Sequence, residues 1–287
     1  MTDISSLRIG FIGYGKTAQA LAWNFNEVEL NVVGASNESH SKINENTLPQ
    51  GSSNFDSLSA LLDTSNLVFL TCPDDSIASL CESLNWKESH MVIHCSGTMN
   101  STTLSHAESQ GAQTGIFHPL QTVSHTLHPE SYLGLFTNVT FGITSKHDEI
   151  TEILKRMANL LDGSWVSLND DAKTPYHIGA IMACGHVTTL LDLSSSLMTK
   201  AGLSKLESSE ALRTIVNKTI DNYFTYGPIS LTGPAARHDK DTVLNHINWL
   251  RENHPEILET YTNLTRHSTQ IVTRESETNY IPELEDK

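Results

Sequence analysis

A chain of 287 residues, 38% hydrophobic and 18% charged, is long enough for two domains and too ordinary in composition for a disordered or low-complexity protein. Its 18 Lys and Arg against 33 Asp and Glu give a formal charge of −15, which repels a nucleic-acid backbone and an anionic membrane surface alike. The four cysteines, Cys72, Cys81, Cys95 and Cys184, form no C-x-x-C pair, and Met1 leads into a polar segment without an apolar leader, so the expected setting is a reducing cytoplasm.

Residues 7–12 are β-rich and apolar, residues 13–18 form a glycine-rich turn, and Ala18, Leu21, Ala22 and Phe25 then recur at helical spacing. This pattern predicts strand, turn and helix. Further strands are expected at 30–35, 67–71 and 91–95, with helical patterns at 58–62 and 77–84 between them. Such alternation predicts a parallel sheet covered on both faces, because parallel strands need crossover helices. Residues 139–143 open another unit, in which Ile150, Ile153, Leu154, Met157, Leu160 and Leu161 form one apolar helical face before a strand at 164–168.

From residue 171 no strand pattern remains, and helical patterns follow one another to about residue 273. The first is expected to start near Pro175, an allowed first helical position, and to run through Met198 as the buried central helix of an all-α domain. Its most apolar part, 178–193, is interrupted by Gly185, His186 and Asp192 and reads as too short to span a bilayer. The tail from 275 is acidic and unpatterned. The expected architecture is a doubly wound α/β domain over 1–170, with a Rossmann-type parallel sheet, followed by an all-α domain over 171–287.

Gly13-Tyr14-Gly15-Lys16-Thr17-Ala18 fits the G-x-G-x-x-A nucleotide fingerprint and stands between a strand and a helix, where such a turn meets a dinucleotide pyrophosphate. Gly13 permits the tight turn, Gly15 lets the backbone approach the pyrophosphate, Ala18 allows close helix packing, and the helix start offers N–H groups to the anion. The second strand ends at Ala35-Ser36-Asn37 without the acid that holds the ribose hydroxyls in an NAD site. A carboxylate there would oppose a 2′-phosphate by roughly 4 kcal/mol per charge pair at about 4 Å in an effective dielectric of about 20, so short polar groups favour NADP. Ser36 and Asn37, with Ser39 or Lys42, are the candidate phosphate ligands, and Glu38 stands one residue late.

Three polar clusters could carry chemistry: His94-Cys95-Ser96-Gly97 at a strand end, His118-Pro119-Leu120-Gln121-Thr122 after residues 115–117, and Thr232-Gly233-Pro234-Ala235-Ala236-Arg237. Strand C-terminal ends face the ligand crevice of a doubly wound sheet, so the first two, with Ser96 and Gln121, are expected beside the substrate. The third reads as a loop ending in Pro at a helix start, which would place Thr232, Gly233 and Arg237 as a carboxylate clamp, with pairing of Arg237 to Asp239 or Asp241 as the alternative. Lys173, Tyr176 and His177 fall at i, i+3 and i+4 and share a face if their helix begins before Pro175. His118, His125 and His128 lack a carboxylate or cysteine at ligand spacing, and no metal is expected.

The fingerprint together with Thr71-Cys72-Pro73-Asp74-Asp75, His94-Cys95-Ser96-Gly97, His118-Pro119-Leu120-Gln121-Thr122, Tyr176-His177 and Thr232-Gly233-Pro234 with Arg237 and Asp239 resembles bacterial Rossmann-like proteins that carry a C-terminal helical domain of once-unknown function. That group is similar to ketopantoate reductase, pyrroline-5-carboxylate reductase and the β-hydroxyacid dehydrogenases. The resemblance covers nearly the whole chain and implies an NADP-linked reductase with its substrate between two domains, a homodimer built through the helical domain, and Cys72 and Pro73 beside the cofactor. The chain departs from the group at His186, where Asn is common, and at His238, where Gly is common; Lys173 and His177 stand where ketopantoate reductases carry Lys-x-x-x-Asn. The expected reaction is hydride transfer from NADPH to a small anionic 2-keto acid, ketopantoate first, with an imino acid or a non-catalytic NADP sensor as alternatives. His118 or His177 is the expected proton donor, by its ordinary pKa, and Lys173 stands in reserve.

Overall fold

The computed structural model describes residues 3–37 and 43–278. Glu38, Ser39, Lys42 and the end of the acidic tail lie outside the described residues.

The fully buried strand β1 (Ile9–Ile12) runs into α1 (Lys16–Glu27), and β2 (Val32–Ser36) follows parallel to β1. The chain then forms the short β3 (Ser53–Asn54), α2 (Leu58–Thr64), β4 (Leu67–Leu70), α3 (Asp74–Glu82), β5 (Met91–His94), α4 (Ser105–Ser109) and β6 (Gln113–Pro119). After a long connection come β7 (Thr140–Thr144), α5 (Asp148–Leu160) and β8 (Ser164–Ser167). The sheet order is β3-β2-β1-β4-β5-β6-β7-β8, which bears out the expected Rossmann-type fold. The order reverses between β1 and β4, and the crevice at that switch lies outside their C-terminal ends.

One pairing differs from the all-parallel expectation: β7 runs antiparallel to β6, with His118 opposite Gly142. The connection from β6 to β7 contains only a short 3-10 turn, Pro129–Ser131, and no crossover α-helix that would bring the strand back parallel. Each face of the sheet has its own core. On one, Phe11 stacks on Phe69 at 5.3 Å and Phe117 on Phe141 at 4.4 Å between ring centroids; on the other, Ile12, Leu61, Leu80 and Trp86 pack together. Helix α5 buries Ile150, Ile153, Leu154 and Met157 as its periodicity predicts, and Leu161 beyond it, whereas Leu160 points outward. Edge strand β8 is exposed along its length, with Lys155 Nζ 4.4 Å from the centre of the Trp165 ring.

Two compact units divide after residue 184, Met1–Cys184 and Gly185–Lys287. The first therefore contains α6 (Asp170–Ala183) as well as the sheet. The second consists of α7 (Gly185–Lys200), α8 (Lys205–Tyr226), α9 (Lys240–Asn253) and α10 (Pro255–Thr278). Helix α8 opens on a capping box: Glu207 N–H donates to Ser204 Oγ, and Ser204 N–H donates to the Glu207 carboxylate. Among the described residues of this unit only Leu250 and Ile257 are buried hydrophobics.

The expected buried central helix is not buried. The helical run Asp170–Lys200 is 31 residues long, and its most apolar 18-residue window, with a mean hydropathy of 1.2, is enough by length and composition to cross a bilayer and is uncovered in the isolated chain. Helix α6 is nevertheless tied to the sheet unit at its start, where Lys173 is buried and donates to the Ser96 carbonyl.

Candidate active site

The fingerprint turn has the conformation its glycines were expected to allow. Gly13 has φ +85°, and a Cβ there would stand 2.7 Å from the Cys72 nitrogen, so the fold itself requires glycine. Gly15 is the N-cap of α1, carries no side-chain cap, and a Cβ built on it would meet nothing within 4 Å. The space before the helix start is open, which fits a pyrophosphate held by the first-turn N–H groups that begin at Lys16 and Thr17.

Around the turn, side chains hold the backbone rather than reach outward. Tyr14 is buried; its N–H donates to Asn37 Oδ1 at 2.8 Å and its hydroxyl to the Thr47 carbonyl at 3.0 Å. The Lys16 ammonium donates to the Leu127 carbonyl at 2.8 Å, so what Lys16 offers an anion at the turn is its backbone. Ser36 is buried and its hydroxyl donates inward to the Phe55 carbonyl at 2.9 Å; among the described residues Asn37 is then the polar side chain that follows β2. Cys72 follows β4, and Pro73 is the N-cap of α3.

At the C-terminal ends of β5 and β6 the structure brings together both expected strand-end clusters and the start of α6. Asn169 caps α6 by accepting the Ala172 N–H at 2.8 Å, so the helix begins at Asp170 and Pro175 lies inside it, not at its first position. Pro175 forfeits one backbone hydrogen bond, but the early start carries Lys173, Tyr176 and His177 onto one face. A Cβ on Gly97 would collide with His177 Nδ1 and stand 2.8 Å from His118 Nε2. Both imidazoles thus close over Gly97, in the space a side chain would take.

The Ser96 hydroxyl is engaged within the protein. It donates to Asp74 Oδ2 at 2.6 Å and accepts the N–H groups of Thr98 and Met99, while Thr98 Oγ1 donates to the same carboxylate oxygen at 3.1 Å. The Ser96 carbonyl accepts Lys173 Nζ at 3.3 Å. Asp170 accepts both the N–H and the hydroxyl of Ser101. Asp74 and Asp170, neither foreseen as functional, thereby fix the loop on which the site is built. The only sequence signal for them is an acid at the first position of a helix that follows a strand end.

Protonation states follow from burial. Lys173, 2% exposed, has its ammonium pulled down to about 8 by burial, against the opposing charges of Asp170 and Asp74. His118 is lowered to about 4 by burial and by His177 and Lys173, and His94 to about 4 by burial and Lys173. His118 is therefore held below the ordinary imidazole value on which its expected role as a proton donor rests. Lys173, the residue in reserve, is the one poised near neutrality.

His118, Tyr176 and His177 line a cleft of about 500 Å³ with Leu120, Gln121 and Cys184. Gln121 is exposed; its Nε2 donates to the Leu135 carbonyl at 3.0 Å and its Oε1 accepts the Thr122 N–H. Thr232, Gly233 and Arg237 belong to the other unit. Pro234 opens a run of turns and not a helix; α9 starts only at Lys240, capped by Asp239, which accepts from Thr242 N–H and Oγ1. His238 interrupts with φ +55°. Arg237 is exposed, and within 4 Å it forms no ion pair with Asp239 or Asp241.

Residues 2–119 match the Rossmann-like domain family, and residues 139–268 match a domain of unknown function, DUF2520. No curated protein matches the sequence. Among solved structures, a Bacteroides fragilis protein assigned as an NADP oxidoreductase is similar with a TM-score of 0.76 at 21% identity, over 93% of this chain and 100% of that one. A Thermotoga maritima protein is similar with a TM-score of 0.67 at 18% identity, over 93% and 99%. Plasmodium falciparum pyrroline carboxylate reductase, solved with NADP bound, has a TM-score of 0.60 at 12% identity, over 94% and 100%. These likenesses show a shared fold.

Proposed function

We propose that this chain, in which a Rossmann-like domain is joined to a DUF2520 domain, is an NADP(H)-dependent oxidoreductase that reduces a small anionic 2-keto acid. The observation that carries the proposal is a single crevice edge with two parts. An open fingerprint turn lies at the end of β1, and a cleft with two imidazoles and a buried lysine behind it lies at the ends of β5 and β6. The first part fits a dinucleotide through Gly15, the start of α1 and Asn37; the cofactor, when bound, supplies the hydride. The likeness to a reductase solved with NADP supports the choice, and the tip of β2 carries Asn37 and no acid.

A carbonyl that accepts hydride also needs a proton, whereas a protonated imine does not. A lysine poised at about 8 beside two imidazoles suits the carbonyl, so a keto acid of the ketopantoate type ranks before an imino acid of the pyrroline-5-carboxylate type. Lys173 holds the proton at Nζ, and His118 donates a hydrogen bond into the cleft. Arg237, with the backbone of the Thr232-Gly233 turn, is the proposed anchor for the substrate carboxylate. Loss of NADPH absorbance across a panel of keto acids and cyclic imines, ketopantoate included, tests the assignment; binding of NADPH without turnover of any of them would favour a sensor.

The uncovered apolar side chains support the reading that a second copy covers them. Ile178 and Met182 are 54% and 59% exposed, and Phe224 and Tyr226 are 82% and 66% exposed, far more apolar surface than an isolated chain keeps. A homodimer that covers these helices is the proposed assembly, and a sedimentation mass equal to one chain would refute it.

A further inference from the structure

Between β6 and α6 lies a stack of four residues whose fit depends on two absent side chains. His118 on β6 is paired in register with Gly142 on β7. A Cβ on Gly142 would stand 3.0 Å from Leu168 Cδ1, 3.3 Å from Tyr176 Oη and 3.4 Å from its Cζ, so the phenol packs closely over the bare glycine. Tyr176 meets His118 edge to face, with ring centroids 5.5 Å apart and planes at 82°, and its Oη lies 3.2 Å from His118 Nδ1. At the other end of the imidazole, Nε2 faces Gly97, where His177 Nδ1 also converges and has no hydrogen-bond partner. The ring is therefore held by one nitrogen and turns the other toward Gly97, on a residue that lines the cleft.

We infer that Tyr176 is a positioning residue that donates its hydroxyl proton to His118 Nδ1 and so fixes the imidazole as the Nε2–H tautomer, aimed over Gly97 at the reacting group of the substrate. The direction of the bond follows from the partners. His118 Nδ1 is the one hydrogen-bond partner of Tyr176 Oη among the described residues. A phenol is the stronger acid and an imidazole nitrogen the stronger acceptor, so O–H···N prevails over N–H···O. Burial raises the Tyr176 phenol to about 12, which keeps its proton in place, and His118 is neutral. A neutral imidazole with one N–H turned to the site is a donor for charge that develops on a carbonyl oxygen, and it needs no proton of its own to leave.

The catalytic meaning of this bond rests on the reductase reading, whereas the bond and the tautomer do not. The test therefore has two readouts on the full chain. The first is the long-range 15N–1H spectrum of uniformly labelled protein at neutral pH, with the His118 signals identified by their loss in His118→Gln. The wild type is expected to show a protonated Nε2 and a bare Nδ1, and Tyr176→Phe, which removes only the hydroxyl, to shift both nitrogens toward a mixture of tautomers. A wild type with Nδ1–H, or a Tyr176→Phe spectrum identical to wild type, overturns the inference even if no substrate is ever found. The second is turnover: kcat is expected to fall roughly tenfold or more in Tyr176→Phe, with the NADPH dissociation constant unchanged. A tautomer mixture with wild-type kcat would refute the positioning role.

Discussion

Lys173 is the residue on which the proposed chemistry turns, and its titration gives a numerical expectation. Its ammonium is buried beside the Ser96 carbonyl and pulled down to about 8, with burial the leading cause. If the reduction draws its proton from Nζ, kcat follows the protonated fraction, which is about ten elevenths at pH 7 and about one eleventh at pH 9. The expected profile is a roughly tenfold fall in kcat between those two values. The sign is fixed by the chemistry: the acid form is the active form in reduction, so activity is lost as pH rises through about 8. Lys173→Met keeps the length of the side chain and removes the proton; kcat at pH 7 should fall by roughly 100-fold or more, and the fall above pH 8 should disappear. Because burial works against the charge at this position, the melting temperature of the variant should be no lower than that of wild type. Steady-state NADPH consumption against pH for both proteins is the assay. A Lys173→Met profile that retains the same descending limb would refute the assignment, since the limb would then belong to another group.

Gly15→Val should abolish NADPH binding and leave the melting temperature unchanged, because a Cβ at Gly15 meets nothing, whereas Gly13→Ala should destabilise the fold through its +85° φ and its contact with the Cys72 backbone. Nucleotide titration with thermal melts on both variants checks the contrast. Asn37→Asp keeps an acceptor for the Tyr14 N–H but adds a charge at the tip of β2; NADPH affinity should fall roughly tenfold or more relative to NADH, measured by fluorescence titration. Arg237→Ala should lower kcat/KM by roughly 10-fold to 150-fold with little change in melting temperature, and Arg237→Lys should restore only part of it, because an ammonium lacks the planar fork.

The nucleotide half of the molecule is legible because its signals are local and agree. A strand, a glycine turn and a helical period succeed one another within residues 9–27, and the structure keeps all three. Features that depend on a partner far along the chain were not legible. The antiparallel entry of β7 follows from what the long connection lacks, and a two-residue strand such as β3 carries no pattern. Pro175 marks a helix start by its own preference, but the Asn169 cap wins and draws the helix five residues earlier, which is what brings Lys173 to Ser96. Ser36 and Ser96 looked like ligand contacts because short hydroxyls do so often serve; both are spent on the Phe55 carbonyl and the Asp74 carboxylate. His118 is legible as a site residue, but its pKa is not, because that is set by burial and by charges on two other segments, His177 and Lys173 of α6 and Asp74 of α3. The apolar face of α6 reads as core in the sequence and is exposed in the structure, because periodicity reports what is apolar and not what covers it.

The central claim is that this fold binds NADP(H) and uses it on a small keto acid, and calorimetric titration of the purified chain with NADPH and NADH, followed by a single-turnover measurement with ketopantoate and related keto acids, tests it most directly. The account predicts one nucleotide site per chain, tighter binding of NADPH than of NADH, and NADPH oxidation that depends on an added keto acid and is lost in Lys173→Met. Tighter binding of NADH, or no binding of either nucleotide to a chain whose fold is intact, would contradict it.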